Sequence, residues 1–477
     1  MTPSPPALPD SPNAAVLVPR PTAEPVVDAC ACGEFDRARV VHGGAARAGS
    51  GLPAIESGMP EPAGTGLPRR SFLLASAGVM LSVYGAGKWG PRGLTEGIAE
   101  AATTPPGRIL VSVYVAGGWD ALSVLAPTGD PLYAAKRPTL ALAPDATRSF
   151  SEDAQLQWHP STDGLRTLHG EGKLSVIPGI GYSSPNQSHF TSRHFWEVGE
   201  HNEQGRVGWL GRYLDQHGNG TNPLQGLSLS STLMPTLATG SVPVAAVSQP
   251  SSYTFNATGV RSDMTAGMFS SYSSLGQGDG GGALDYARGA VRDSSTLKGQ
   301  LAAVGAVTLP GGYPNITFSN QLASVASMLS AGLPLECVAL QAPGGYDTHN
   351  NQATGLASNL ANTSNALLAF QRDLEARSLD GRVMTMVWSE FGRRPSENGT
   401  TGTDHGAGGL GFLMGTNALG TMIGEFPGLA SLDPQGNLKS TTDYRAIYCS
   451  LLEQWMGVDA TPIIPGAAGF QRPGLLG

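Results

Sequence analysis

An α/β fold with a mostly parallel central sheet, helices on both faces and a Gly/Ser-rich insertion is what this sequence predicts, and three observations carry it. Short apolar runs of strand length alternate with longer helical patterns from residue 108 onward. Those runs are apolar almost throughout, as strands buried on both faces require. Carboxylate- and imidazole-bearing residues follow four of them, and open α/β sheets place their chemistry at the carboxyl ends of strands.

Ile109 to Ala116 opens the series as a β-branched, apolar strand closed by Gly117-Gly118, which turn the chain and present Asp120. A helix around Gly164 to His169 precedes a second strand, KLSVIPGIGY from Lys173. The helical pattern SNQLASVASMLSAG leads into a third, LECVALQAPGG from Leu335, and SNLANTSNALLAFQRDLEAR into a fourth, VMTMVWSEFG from Val383. A Gly/Asn-rich loop comes next, then GLGFLMG from Gly409 as a further strand and YRAIYCSLLEQWMG as the C-terminal helix. Between about 216 and 315 the pattern gives way to Gly, Ser and Thr, which reads as an insertion or cap over the sheet edge within a single α/β domain spanning 106–477.

Of the 477 residues, 29 are basic and 37 acidic, a net charge of −8 that offers nothing to track a phosphate backbone, so no nucleic-acid partner is expected. Residues 1–60 are rich in Pro, Ala and Gly and poor in aromatics, a composition that buries too little apolar surface to offset chain entropy; a disordered leader is expected. Residues 61–105 hold Pro68-Arg69-Arg70-Ser71-Phe72-Leu73-Leu74, the apolar run ASAGVMLSVYGAG and the small-residue site Ala99-Glu100-Ala101. This segment resembles a twin-arginine export signal, which implies the twin-arginine translocase as a partner, passage in the folded state and a periplasmic or extracellular destination. Its apolar run of about 15 residues is diluted by Gly and Ser and falls short of the roughly 20 a span needs, so no stable membrane span is expected. Loss of the leader would remove Cys30 and Cys32. The apolar surroundings of Cys337 and Cys449 predict two buried free thiols rather than a disulfide.

Asp120 follows the first strand, Asn186-Gln187-Ser188-His189 the second, Asp347-Thr348-His349 the third and Glu390 the fourth, with Asp404-His405-Gly406 in the loop after it. Side chains of this set suit a divalent cation: zinc, manganese, magnesium or calcium. Gly344-Gly345 let the backbone turn tightly and aim Asp347 and His349 at one point. Each motif also has a plainer reading. Asp347-Thr348-His349 fits an Asx-type turn with an exposed His, Asp404-His405 a polar loop, and Asp120 a helix N-terminal residue. Ser188, just ahead of the helical run FTSRHFWEVG, is either an N-cap or a nucleophile held against a metal. His189 either orients a substrate or packs on Trp196, while His194 and His201 read as surface residues. Arg206, Arg212 and Arg393 are candidate anion ligands through their guanidinium forks, with Arg393 favoured for standing three residues from Glu390.

With GGWDAL, NQSHFTSRHFWEVG, RVGWLGR, GGYDTHNNQ and SEFGRRPSENGTTGTDHG in this order, the stretch from about 108 to 460 resembles the bacterial family catalogued as domain of unknown function 1501, grouped with the alkaline phosphatase and sulfatase superfamily. The resemblance implies an alkaline phosphatase/sulfatase-like fold. From metal-dependent members of that superfamily it also implies Asp120 as the first metal-binding Asp, Ser188 as nucleophile, Asp347 with His349 as the Asp-His pair, Glu390 as the next carboxylate and His405 as the final His. Two departures stand out: Phe391 occupies the place of a superfamily His, and one residue rather than three separates Asp347 from His349, which puts one metal site in doubt. The activity implied is that of an exported metal-dependent hydrolase acting on a phosphate or sulfate ester of a small molecule or polysaccharide. Because fold does not dictate function, the alternative is a non-catalytic binding or assembly protein of the cell envelope on the same scaffold.

Overall fold

The computed structural model describes Val83–Tyr84 and residues 107–253, 267, 270–271, 273–274, 276, 283–302, 304 and 309–477. Residues 68–74, Ala99 to Ala101, Cys30 and Cys32 lie outside the described residues, whereas Val83–Tyr84, inside the apolar run read as part of an export signal, is a strand paired in the sheet. In chain order the strands are β1 (Val83–Tyr84), β2 (Ile109–Tyr114), β3 (Leu125–Ala126), β4 (Arg148–Ser149), β5 (Gln157–Trp158), β6 (Leu174–Gly181), β7 (Gly226–Ser228), β8 (Val244–Ala246), β9 (Cys337–Gln341), β10 (Val383–Trp388), β11 (Arg393–Glu397), β12 (Thr403–His405), β13 (Gly409–Met414) and β14 (Thr442–Asp443). The helices are α1 (Ala121–Val124), α2 (Pro131–Lys136), α3 (Asp163–Gly170), α4 (His189–Val198), α5 (Trp209–His217), α6 (Ala283–Leu301), α7 (Thr317–Ser330), α8 (Gln352–Ala376) and α9 (Tyr444–Ser450).

Nine strands form the central sheet in the order β1-β8-β7-β9-β2-β10-β13-β6-β14. Five of its eight neighbouring pairs run parallel, which makes the sheet mostly parallel. The exception at its heart is β13, antiparallel to both β10 and β6. It is reached from β10 through the β11–β12 hairpin and no helix, so the chain stays at one end of the sheet and must run back. The segment between Glu390 and Asp404, expected as a loop, therefore contains two paired strands and presents His405 on a strand rather than a free turn.

Alternate residues of the middle strands feed two separate cores. Ile109, Val111 and Val113 of β2 join Val383 and Val387 of β10 in a cluster with Leu165 of α3, Leu322 of α7 and Phe370 of α8. Leu110 and Tyr114 join Met384, Met386 and Trp388 in a cluster with Trp196 of α4, Leu210 of α5 and Ile447 of α9. Both faces are thus covered by helices, which is why these strands read as unbroken apolar runs. Within the stretch from 216 to 315, read as a cap, β7 and β8 are strands of the sheet itself. The C-terminal helix stops at Ser450 and continues as a π-helical turn, Leu451–Trp455. Cys337 and Cys449 are both buried free thiols. Among the described residues no helix is long and apolar enough to cross a membrane.

Candidate metal centre

Strands β2, β9 and β10 are parallel, and β6 shares their direction because β13 runs opposite to both β10 and β6. Their carboxyl ends therefore share one edge of the sheet, where the Gly117-Gly118 turn, the Asp347 loop, Glu390 and the start of α4 converge. The turn needs glycine: φ is +110° at Gly117 and +64° at Gly118. A Cβ on Gly118 would stand 2.5 Å from the Phe391 ring, and one on Gly117 would strike the Asp347 backbone nitrogen. That close approach brings the first and third strand ends together.

His189, Asp347 and His405 each offer a ligand atom, all within 4.8 Å of one another, and among the described residues they are the only such group. His189 Nδ1 donates to Glu390 Oε1 at 2.6 Å, and His189 Nε2 faces Asp347 Oδ2 at 3.5 Å. His405 Nδ1 donates to the Gln187 carbonyl at 2.8 Å, and Nε2 faces Asp347 Oδ1 at 3.3 Å. Each ring thus has its Nδ1 tied to an oxygen and its Nε2 turned toward one carboxylate. This is how outer partners fix the tautomer and aim of metal-binding imidazoles. Ligands about 2.0–2.1 Å from a tetrahedral ion stand about 3.4 Å apart, close to both separations. Two imidazoles with a carboxylate suit zinc or manganese better than magnesium or calcium, which prefer all-oxygen sites.

Glu390 is completely buried and fully employed. Oε1 accepts from the Gly117 N–H at 3.0 Å as well as from His189, and Oε2 accepts from the Gly118 N–H at 3.1 Å and the Ser389 hydroxyl at 2.8 Å. Burial pushes its carboxyl up, but the His189 hydrogen bond and charge outweigh this and hold it down at about 2. Burial likewise pushes His189 down, while Asp347 and Glu390 together raise it to about 9. Asp347 itself, despite burial, is held well below the usual carboxylate range by His189, His349, His405 and Arg393. Phe391 packs against both rings, its centroid 4.9 Å from His189 and 4.8 Å from His405, and forms an apolar wall on one side of them.

Arg393 is buried and anchors the site from behind. Its Nε donates to the Gly118 carbonyl at 2.8 Å, Nη1 to Thr403 at 2.8 Å and Nη2 to Gly117 at 2.6 Å, and Nη2 also pairs with Asp347 Oδ1. Its fork is engaged by this scaffold rather than held open for an anion. Arg212 is similarly placed, donating to the carbonyls of Ile463, Val207 and Val198. His349 stands at the rim, Nε2 2.9 Å from Asp347 Oδ1 and Nδ1 3.2 Å from Asp404 Oδ1. Asp404 is the most open of these residues at 42% side-chain exposure, and Asn398 donates to it at 3.0 Å.

Asp120 stands apart in a completely buried ion pair with Arg137, at 2.5 and 2.8 Å, with further hydrogen bonds from Ser123 and Gln352. Neither Arg137 nor Gln352 was singled out by sequence; both are remote in the chain from the strand end they serve. Ser188 occupies the N-cap position of α4 but makes no side-chain cap bond, and it is half-buried beside His189. His194, expected at the surface, is buried with Nε2 3.0 Å from the Asn202 carbonyl, because the helix turns it inward; His201 is exposed. The structure thus gathers His189, Asp347 and His405 as a candidate ligand set, adds His349, Glu390 and Arg393 as direct neighbours, puts Asp404 at the rim and leaves Asp120 outside.

Residues 291–464 match the family described as "Protein of unknown function (DUF1501)", a stretch that includes Asp347, Glu390 and His405. No curated protein matches the chain. Among solved structures, a protein in the alkaline phosphatase superfamily from Vibrio parahaemolyticus is 10% identical, with 85% of this chain and 78% of that one covered and a TM-score of 0.33. Alkaline phosphatase from the Antarctic bacterium TAB5 is 12% identical, with 67% and 95% covered and a TM-score of 0.28. The PsFucS1 sulfatase from Pseudoalteromonas sp. is 12% identical, with 75% and 69% covered and a TM-score of 0.30. Similarity at this level says nothing of what this chain does.

Proposed function

We propose that the protein is an exported hydrolase of a phosphate or sulfate ester that works with a divalent metal, zinc or manganese by its donor set, held by His189, Asp347 and His405. The observation that carries the reading is the pair of imidazoles whose Nε2 atoms face one carboxylate at 3.5 and 3.3 Å while their Nδ1 atoms are tied elsewhere. Export rests on the twin-arginine-like segment. A divalent ion in this place supplies Lewis acidity toward an ester oxygen. Within the chain, Glu390 and the Gln187 carbonyl orient the two imidazoles, Arg393 balances Asp347, and Phe391 keeps water from one side of the rings. The nucleophile in this reading is the hydroxyl of Ser188, which precedes His189 in the chain and is half-buried.

The test begins with metal content. Folded, exported protein should retain about one zinc or manganese ion per chain, as a three-ligand site holds a single ion. Asp347→Ala should abolish retention, and a panel of phosphate and sulfate esters should show turnover that Ser188→Ala removes with folding intact. Wild-type protein that takes up neither metal would sink the proposal. A second reading, a metal-holding envelope protein without turnover, is favoured by the engagement of Arg393 with main-chain carbonyls and by the closure of Asp120 on Arg137. Retained metal with no hydrolysis of any ester in the panel would select it.

A further inference from the structure

Asp120 and the last residue of the GGYDTHNNQ motif, Gln352, meet in the interior, although neither belongs to the ligand set. Gln352 is 1% exposed at the first position of α8. Its Nε2 donates to Asp120 Oδ2 at 2.6 Å, while its Oε1 accepts from the Thr348 hydroxyl at 2.9 Å and the Thr403 hydroxyl at 2.7 Å. An amide has one donating and one accepting end, so only this orientation serves the carboxylate and both hydroxyls.

The fixed point is Asp120. Arg137 grips both of its oxygens and also donates to the main-chain carbonyls of Pro395 at 2.8 Å and Arg394 at 2.9 Å. The two threonines lie in the segments that carry the ligands: Thr348 is between Asp347 and His349, and Thr403 is two residues before His405. The Thr403 N–H donates to the Thr348 carbonyl at 3.0 Å, which joins the segments directly. One buried side chain therefore ties both segments to the end of β2.

We propose that Gln352, held by Asp120, is a positioning residue that sets the separation of Asp347 from His405 and thereby the affinity of the site for its metal. The inference rests on the metal reading above. Its test compares full-length wild type with Gln352→Met, which keeps the length and loses both polar ends, and with Gln352→Glu, which puts a second carboxylate against Asp120. Zinc affinity is measured by competition with a chromophoric chelator, and ligand geometry by the visible absorption of the cobalt-substituted protein.

Both single variants should lose about 10–100-fold in zinc affinity, the range for groups that support metal ligands, with an altered cobalt spectrum. General loosening of the interior would lower the urea midpoint of chelator-treated protein but leave zinc affinity and the cobalt spectrum of the folded fraction unchanged. Should Gln352→Met fail to fold, Thr403→Val, which removes one hydroxyl, carries the same comparison. Wild-type affinity and spectrum in the folded variants overturns this inference alone; wild type that binds neither zinc nor cobalt overturns the metal reading as well.

Discussion

Asp120 and Asp347 follow the ends of neighbouring parallel strands, β2 and β9, yet they have come to opposite uses. Asp120 is completely buried and saturated by a guanidinium, an amide and a hydroxyl. Asp347 remains 17% exposed and is shared among three imidazoles and Arg393. The difference teaches that a carboxylate at a strand end becomes a structural anchor or a candidate ligand through what surrounds it. A permanent cation grips both oxygens of Asp120, whereas Arg393 meets only Oδ1 of Asp347 and leaves Oδ2 facing an imidazole, which can give up a proton to make way for a metal.

The largest effect should come from the anchor. Asp120→Ala leaves Arg137 buried without its partner, a change that costs about 3–5 kcal/mol in comparable settings, and urea unfolding should show a loss of that order. If Asp347→Ala costs as much stability and leaves metal content unchanged, the two carboxylates are alike in kind and the contrast fails.

Glu390→Gln tests the other side, since it keeps the shape but removes the charge that holds His189 Nδ1–H. Zinc affinity should fall about 10–100-fold, equivalent to about 1.4–2.7 kcal/mol, in a chelator competition.

The smallest effect is on pH dependence. Burial raises the Asp120 carboxyl, but Arg137, Ser123 and Gln352 outweigh it and hold it below its ordinary value. A depressed folded-state pKa gives stability that is present above the unfolded value, about 3.9, and is lost as pH falls through the folded value. Acid unfolding of Asp120→Asn should accordingly be less steep than that of wild type, and identical acid limbs would show that the pair contributes nothing to acid lability.

Much of the sheet was legible because its physics is local. The apolar runs at Ile109, Leu174, Val383 and Gly409 became strands β2, β6, β10 and β13, since a segment buried on both faces can hardly be encoded otherwise. The β11–β12 hairpin escaped notice because RRPSE and TDH carry no apolar alternation; Arg393 of β11 donates to the Thr403 carbonyl of β12 and to those of Gly117 and Gly118, contacts that no local pattern announces. At the site, Asp347 and His405 could be singled out by residue type and by their place after strands. For His189 the sequence offers a substrate-orienting role or packing on Trp196, yet its ring stands with the candidate ligand set, where its Nδ1 meets Glu390.

The sequence by itself determined the central strands, the crowding of carboxylates and imidazoles after their ends, the two buried thiols and the net acidic charge, because composition and short-range pattern suffice for each. Only the tertiary structure decided which carboxylate is closed by a guanidinium and which is shared by histidines. Arg137, Asp347, Gln352 and Arg393 find their partners across separations of 17 to 276 residues, and nothing in a linear pattern specifies contacts at that range.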